Sequence, residues 1–220
     1  MQTFKVLSAL LAYPEPELLA RMDELAAALR AEALLPADQH AALEIFMTNL
    51  ARLDPLDAQE RYVALFDRNR SLSLHLYEHI HGESRERGQA MVQLAQLYRL
   101  YGVAIATREL PDYLPLFLEF LSMLPPRAAM SLLGETAHVV SALRERLTER
   151  ASPYATVMGA VEALAGKPAE RAAVDDVLAT LMPEADELSA LDRQWEEEAV
   201  RFGAGGAPDA AAGTSASCGG

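Results

Sequence analysis

Residues 114–121 read LPLFLEFL, and the apolar side chains of this stretch follow the period of an α-helix. Leucine or phenylalanine at spacings of three and four residues lies on one face of a helix and forms an apolar stripe. The same spacing recurs in residues 18–29, 43–50, 91–98, 140–147 and 174–181. The pattern therefore predicts an all-α protein built from amphipathic helices.

Composition supports the same fold class. The 220 residues contain 40 alanines and 35 leucines but only 14 valines and isoleucines together. β-Branched residues suit strands and lose rotamer freedom in helices, so this balance favours helix. Apolar residues make up 51% and charged residues 23% of the chain, which is typical of a packed globular protein. We predict a single helical bundle of about eight to ten helices.

The composition changes near the C-terminus. From Gly203 onward the chain is rich in glycine, alanine and serine and contains few large apolar residues. Such a segment cannot bury enough apolar surface to fold. We predict a helical domain over residues 1–202 and a disordered tail over residues 203–220.

Two local patterns predict how the helices begin and where they are interrupted. Prolines are expected at helix starts, where the missing N–H costs no hydrogen bond. Pro111 is thus predicted to open a helix with Asp112 in its first turn, offsetting the helix dipole. Residues 71–77 instead alternate polar and apolar side chains, which indicates an extended connector or a helical turn with a misleading pattern.

Charge and cysteine content exclude several classes of protein. The net charge is −13, with 32 acidic and 19 basic residues, so nucleic acids and anionic membrane surfaces are poor partners. The single cysteine, Cys218, gives no sign of an oxidising compartment, and the cytoplasm is the expected location. The longest run without Asp, Glu, Lys or Arg is eleven residues. A membrane-spanning helix needs about 20 mostly apolar residues, so the chain is not expected to be membrane-embedded.

Common catalytic signatures are missing from the sequence. There is no Gly-x-Ser-x-Gly elbow, no Gly-x-Gly-x-x-Gly turn and no Gly-Lys-Ser/Thr phosphate loop. We therefore expect no catalytic residue and no metal site.

A metal-dependent helical-bundle enzyme is the alternative with the most support in the sequence. Di-metal bundles use paired Glu-x-x-His motifs, which occur at Glu78 to His81 and at Glu135 to His138. On a helical projection His138 points away from the apolar stripe and is predicted to face solvent. A mononuclear site from His75, His79 and His81 remains open as well. The alternative enzyme would use Glu78, His79 and His81.

A denser group of aromatic, histidine and acidic residues suggests a different chemistry. For Leu65 and Phe66, ordinary core packing is the favoured interpretation, because with Tyr62 they follow helical spacing. The other residues could line a groove for a peptide helix, with rings supplying contact area and carboxylates pairing with Arg or Lys. Tyr77→Ala and Asp112→Ala are expected to weaken binding without lowering the thermal midpoint. The candidate peptide-binding residues are Tyr62, Phe66, Asp67, His75, Tyr77, Glu78, His79, His81, Asp112 and Tyr113.

Three stretches of the chain resemble a known family. They are YVALFD at residues 62–67, LSLHLYEHIHGESRERG at residues 72–88 and LPDYL at residues 110–114. These segments, together with a Leu-Leu-x-Tyr-Pro start ending at Pro14, closely resemble the TorD/DmsD/NarJ family of redox-enzyme maturation proteins, in its nitrate reductase branch. The family's Glu-Pro-Asp-His motif has Leu110 in place of Glu and Tyr113 in place of His.

The resemblance implies a function as well as a fold. It implies an all-helical cytoplasmic assembly chaperone that binds the apo catalytic (alpha) subunit of a respiratory nitrate reductase. It further implies recognition of that subunit's basic N-terminal, leader-like segment before insertion of bis-molybdopterin guanine dinucleotide and docking on the membrane subunit. Proteins of molybdenum cofactor biosynthesis are further partners that the resemblance suggests. The implied fold is TorD-like, and the resemblance implies a chaperone with no cofactor of its own. A scaffold or regulator without a role in cofactor loading is the non-enzymatic alternative.

Overall fold

A computed structural model describes residues 1–82, 84–106 and 109–180. The all-α class is confirmed, and the described residues form twelve α-helices, of which ten have eight or more residues. The predicted tail, residues 203–220, and the predicted domain boundary at residue 202 lie outside the described residues.

The helices follow one another with short connections. In chain order they are α1 (Gln2–Leu11), α2 (Pro16–Leu19), α3 (Met22–Glu32), α4 (Ala37–Leu50), α5 (Pro55–Tyr62), α6 (Leu76–His81), α7 (Arg85–Leu100), α8 (Leu114–Ser122), α9 (Pro126–Glu135), α10 (Ala137–Glu149), α11 (Tyr154–Leu164) and α12 (Arg171–Thr180). A π-helical turn (Val63–Asp67) continues α5, and a 3₁₀ turn (Arg70–Leu72) follows it.

The core lies where α1, α8, α10 and α11 meet. Helix α1 packs along α8, α10 packs against α11 and α12, and α11 also contacts α4. The stripe that identified α8 is buried, since Leu114, Leu118 and Leu121 have no exposed surface. Removing these leucines from water supplies much of the free energy that holds α8 in place.

Helix starts agree with the proline pattern at several positions but not at Pro111. Pro55 is the first residue of α5, and the Asp54 side chain accepts a hydrogen bond from the Leu56 N–H at 2.9 Å. The helix predicted to begin at Pro111 begins at Leu114, with Pro115 in its first turn. Pro111 and Asp112 belong to the preceding loop, so the prediction that Asp112 offsets the dipole of its own helix is wrong.

The segment that interrupts the helical pattern is a compact set of turns. Residues 70–72 form the 3₁₀ turn, residues 73–75 are extended, and α6 begins at Leu76. The alternating pattern of residues 71–77 thus spans a turn, a short extended link and the first residues of a helix. The extended connector predicted there describes the link at residues 73–75, and the helical turn predicted there describes the residues on either side of that link.

Across the described residues, we find no helix that combines the length and apolar character needed to cross a bilayer.

Candidate polypeptide-binding site

Two loops that are distant in sequence are joined side by side. His75 and Tyr113 form an isolated antiparallel β-bridge. The Leu76 N–H donates to the Asp112 carbonyl at 3.0 Å, and the Leu114 N–H donates to the Leu74 carbonyl at 2.8 Å. These bonds fix the start of α6 against the start of α8, so the two motifs come together at one place.

Asp112 is the centre of this junction. The residue has no exposed surface, and its carboxylate accepts a hydrogen bond from the Tyr77 N–H at 3.1 Å. Nδ1 of His75 lies 3.2 Å from the same carboxylate, and the Arg87 guanidinium lies 3.9 Å away. Tyr77 is the second residue of α6, so Asp112 satisfies an N-terminal N–H of that helix and offsets its dipole.

The burial of Asp112 changes what its replacement is expected to do. A buried carboxylate that faces a helix N–H, an imidazole and a guanidinium cannot be removed without leaving those groups unsatisfied. The expectation that Asp112→Ala leaves the thermal midpoint unchanged is therefore withdrawn. The Asp112 carboxylate faces the start of α6 and has no exposed surface, so any effect on a peptide would be indirect.

Glu78 and His79 hold the extended link from the α6 side. The Ser73 hydroxyl donates to the Glu78 carboxylate at 2.7 Å, and Arg70 lies 3.4 Å from the same side chain. The buried His79 ring donates from Nε2 to the Ser73 carbonyl at 2.7 Å. Both side chains therefore hold the loop in its shape. His79 is buried, so it has almost no surface for the predicted direct contact with a peptide.

The buried histidine gives the fold a pH dependence. Burial lowers the pKa of His79, although its bond to the Ser73 carbonyl acts in the opposite direction. The unfolded chain therefore takes up a proton first, and stability is lost as pH falls from about 6.5 toward the lower folded pKa. We expect the thermal midpoint to drop over this window and His79→Gln to reduce the drop.

His138 provides the matched control for that measurement. It was predicted to face solvent, but it is half-buried, and burial lowers its pKa as well. His138→Gln should therefore change the acid-side slope in the same direction but by less, because His79 is the more deeply buried. Equal slopes for the wild type and His79→Gln would contradict this assignment.

Tyr62 and Tyr113 connect the junction to α1. The Tyr62 hydroxyl donates to the Leu11 carbonyl at 2.9 Å, and the Tyr113 hydroxyl, 3.1 Å away, donates to the Tyr62 oxygen. Burial is the main cause that raises the pKa of each hydroxyl. The Tyr113 ring also lies 5.4 Å from the His75 ring. These tyrosines link three segments and are not free to meet a peptide through their hydroxyls.

The π-helical turn separates buried from exposed candidates. Phe66 is buried, with its ring 5.0 Å from Tyr62 and 5.1 Å from Tyr154, as core packing predicts. Leu65 is only half-buried and lines a surface cleft, so core packing describes it in part. Asp67 is exposed at the end of the turn. The extra residue of a π-turn rotates these side chains away from the regular α-helical positions.

Tyr77 is the candidate that reaches an open cavity. It is half-buried and lines a cavity of about 380 Å³ whose walls come from α7, α8 and α9. The apolar wall residues are Leu94, Leu97, Phe117 and Leu132. Burial, with Asp112 and Glu135 nearby, raises the pKa of the Tyr77 hydroxyl, so it remains a hydrogen-bond donor at neutral pH. The His81 ring packs edge-on against Tyr77 at 5.8 Å.

Three contributors to this region were missed in the sequence. Ser73 bonds both Glu78 and His79, Arg87 approaches Asp112, and Glu135 lies at the Tyr77 cavity. Arg87 stands within the resembling stretch, and Glu135 within a Glu-x-x-His motif interpreted only as metal-binding. The spacing of residues in the sequence does not show that Glu135 and Tyr77 share a cavity, because the two residues come together only in the folded chain.

The structure brings most of the predicted residues together. Tyr62, Tyr113, His75, Asp112, Tyr77, Glu78 and His79 form one connected group, and His81 joins it through the Tyr77 ring. Of the rings in this group, those of His75, Tyr77, His81 and Tyr113 are partly exposed. The group is therefore a buried polar support with an aromatic edge beside an apolar cavity.

The metal hypothesis requires a group of ligands close together, and the described part of the chain contains no such group. No three His, Cys, Asp or Glu side chains there are placed to hold a metal ion together. His79, which that hypothesis needs, uses Nε2 to bond the Ser73 carbonyl.

The described residues form an all-α protein in which buried polar contacts hold partly exposed aromatic rings next to an apolar cavity. The sequence profile of the family described as "Nitrate reductase delta subunit" matches residues 16–159, which contain the whole junction. The chain therefore belongs to the nitrate reductase delta subunit family. The resemblance seen in residues 62–114 is thereby confirmed.

Named relatives cover nearly the same length. The nitrate reductase molybdenum cofactor assembly chaperone NarJ of Escherichia coli K12 is 43% identical over 199 residues, covering 90% of this chain and 83% of the relative. The probable chaperone NarW of the same strain is 39% identical over 204 residues, with 92% and 84% covered. A probable NarJ of Bacillus subtilis is 33% identical over 156 residues, with 71% and 84% covered.

Proposed function

We propose that this protein is a non-enzymatic assembly chaperone that prepares the catalytic subunit of a respiratory nitrate reductase for its molybdenum cofactor. The observation that carries the proposal is the 43% identity, over 90% of the chain, to a relative named for that role. The bridge between the loops at His75 and Tyr113 supports it, because it assembles a structured surface from the motifs of the family. The chaperone acts in the cytoplasm, on the apo form of the subunit.

The basic N-terminal segment of the catalytic subunit is the proposed ligand. An amphipathic helix places apolar side chains in a groove, and the Tyr77 cavity offers such a groove with leucine and phenylalanine walls. Glu135 is exposed at this cavity and forms no ion pair within the described residues. An arginine or lysine of the segment pairs with this carboxylate, while the net charge of −13 speeds the encounter.

The mechanism is thermodynamic. By binding the open apo-subunit and not the filled one, the chaperone raises the population of the cofactor-accepting form. The client carries bis-molybdopterin guanine dinucleotide, whereas the chaperone holds no cofactor of its own. Proteins of cofactor biosynthesis act on the same complex. Insertion of the cofactor closes the subunit, removes the exposed segment and releases the chaperone.

Calorimetric titration tests the recognition step. The titrant is a peptide of about 15 residues from the N-terminus of the catalytic subunit, long enough for an amphipathic helix. We expect one-to-one binding with a Kd on the order of 1–10 μM, weak enough for later release. A matched peptide with every Arg and Lys replaced by Gln, which removes the basic charge without adding acidic charge, should bind at least about tenfold more weakly. Failure of both peptides to bind protein shown to be helical by circular dichroism would contradict the proposal.

A further inference from the structure

A second cleft lies on the other side of the Tyr62–Phe66 motif. It has a volume of about 450 Å³ and is bounded by α4, by α5 with the π-helical turn, and by the turn between α10 and α11. Its apolar floor comes from Phe46, Leu50, Leu53 and Leu65. None of the residues that line the Tyr77 cavity lines this cleft. It is therefore a separate surface of the molecule.

The charged side chains of this cleft are all of one sign. Arg61 and Arg150 line it, and within the described residues no Asp or Glu does. Arg61 is exposed and makes no ion pair in the described part of the chain. Arg150 lies 3.5 Å from the Ser71 hydroxyl. On a chain with a net charge of −13, this cleft is a local site for a carboxylate.

An unsatisfied donor marks the same place. Tyr154 lines the cleft and is 4% exposed. Its hydroxyl is buried and has no hydrogen-bond partner among the described residues. Burial raises the pKa of this hydroxyl, so it remains a donor that lacks an acceptor. A buried hydroxyl without a partner costs free energy, and Tyr154 places this unsatisfied group in the wall of the cleft.

The wall of the cleft is held in an uncommon backbone conformation. Ala151 has a φ of 50°, in the left-handed region that favours glycine. The Ser152 N–H donates to the Leu147 carbonyl at 2.8 Å and the Ala151 N–H to the Thr148 carbonyl at 2.9 Å, so the turn closes α10. These bonds keep the wall rigid, and a rigid apolar cleft loses little entropy when a ligand binds.

We propose that this cleft binds an acidic amphipathic helix of a partner polypeptide, whose apolar side chains contact Phe46 and Leu65 and whose carboxylates pair with Arg61. The volume admits a few side chains of such a helix, as in groove recognition elsewhere. The net negative charge repels the helix at distance, but salt screens charges beyond about 8 Å, and the Arg61 guanidinium acts at contact. The ligand is opposite in charge to the basic segment proposed for the Tyr77 cavity.

The test uses two designed peptides of about 15 residues that share leucines at i, i+3, i+4 and i+7. One carries glutamate on its polar face and the other carries lysine. Fluorescence anisotropy measures both affinities with the full chain carrying Tyr77→Ala, because the lysine peptide is also a basic amphipathic helix of the kind proposed to bind the intact Tyr77 cavity. We expect the glutamate peptide to bind at least about tenfold more tightly than the lysine peptide, and Arg61→Glu to abolish this preference.

Two variants separate this cleft from the rest of the molecule. Arg99→Glu makes the same charge change at an exposed position on α7 that does not line the cleft. Both Arg99→Glu and Tyr77→Ala should leave the affinity for the glutamate peptide unchanged, so a failure of the Tyr77 cavity proposal does not affect this result. Equal affinities for the two peptides, or an unchanged preference in helical Arg61→Glu protein, would overturn the inference.

Discussion

Replacing Asp112 by alanine is expected to lower the free energy of unfolding by about 3 kcal/mol, the typical cost of removing one partner from a buried charged group. The substitution leaves the Tyr77 N–H without its acceptor and removes the carboxylate beside His75 and Arg87. For a chain of this size the loss corresponds to a fall in the thermal midpoint of roughly 10 °C. Differential scanning calorimetry measures it directly.

Two further variants identify the cause of that loss. Asp112→Asn retains an acceptor for the Tyr77 N–H but removes the charge, so its midpoint should fall between those of the wild type and Asp112→Ala. Asp67→Ala removes an exposed carboxylate and should leave the midpoint unchanged. If Asp112→Ala melted with the wild type, the buried contacts at the start of α6 would not be stabilising the fold.

The second large effect concerns peptide affinity. Tyr77→Ala is expected to weaken binding of the basic N-terminal peptide by roughly thirtyfold, as for a central aromatic anchor. The ring forms part of the cavity lined by Leu94 and Leu132, and its loss removes apolar contact area. Glu135→Lys is expected to weaken binding by roughly tenfold, because it replaces an attractive charge at the cavity by a repulsive one. Calorimetric titration measures both changes.

Stability and charge controls accompany these variants. Tyr77 is only half-buried, so Tyr77→Ala should keep most of the stability that Asp112→Ala loses. Glu60→Lys makes the same charge change on α5, where the exposed carboxylate does not line the Tyr77 cavity. If Glu60→Lys weakened binding as much as Glu135→Lys, net charge would explain the effect, and the assignment of the cavity would fail.

The helices were predictable because their signal is local. The stripe at Leu114, Leu118 and Leu121 records which face is buried, and the structure buries those leucines completely. Pro55 with Asp54 likewise identifies a helix start, since both the missing N–H and the capping carboxylate are local features. Stripes and caps of this kind were enough to predict the all-α class.

The candidate site was predictable only as a set of residues. Tyr77 and Asp112 were both recognised, but the bond between them joins segments 35 residues apart and depends on how α6 meets α8. Pro111 resembled a helix start because the sequence does not show that the loop continues to Tyr113. His138 was projected toward solvent, although neighbouring elements half-bury it. Such errors arise wherever tertiary contacts decide the environment of a side chain.

One arrangement explains why buried and exposed residues occur in the same motifs. The Asp112 carboxylate, the His79 ring and the Tyr62 hydroxyl are committed to backbone groups, and they set the positions of the helices around the Tyr77 cavity. A rigid support of this kind holds a binding surface in place before the ligand arrives, which lowers the entropy cost of binding. Residues such as Asp112 should therefore affect binding through stability, and residues such as Tyr77 through contact.

The most direct test of the proposed function is the molybdenum content of the client. The catalytic subunit of the nitrate reductase is purified from cells with the gene for this protein, from cells lacking it, and from cells carrying Tyr77→Ala. Metal is measured by inductively coupled plasma mass spectrometry. We predict near-stoichiometric molybdenum with the wild-type chaperone, little without it, and an intermediate amount with Tyr77→Ala. Fully loaded subunit from cells that lack the protein would contradict the account.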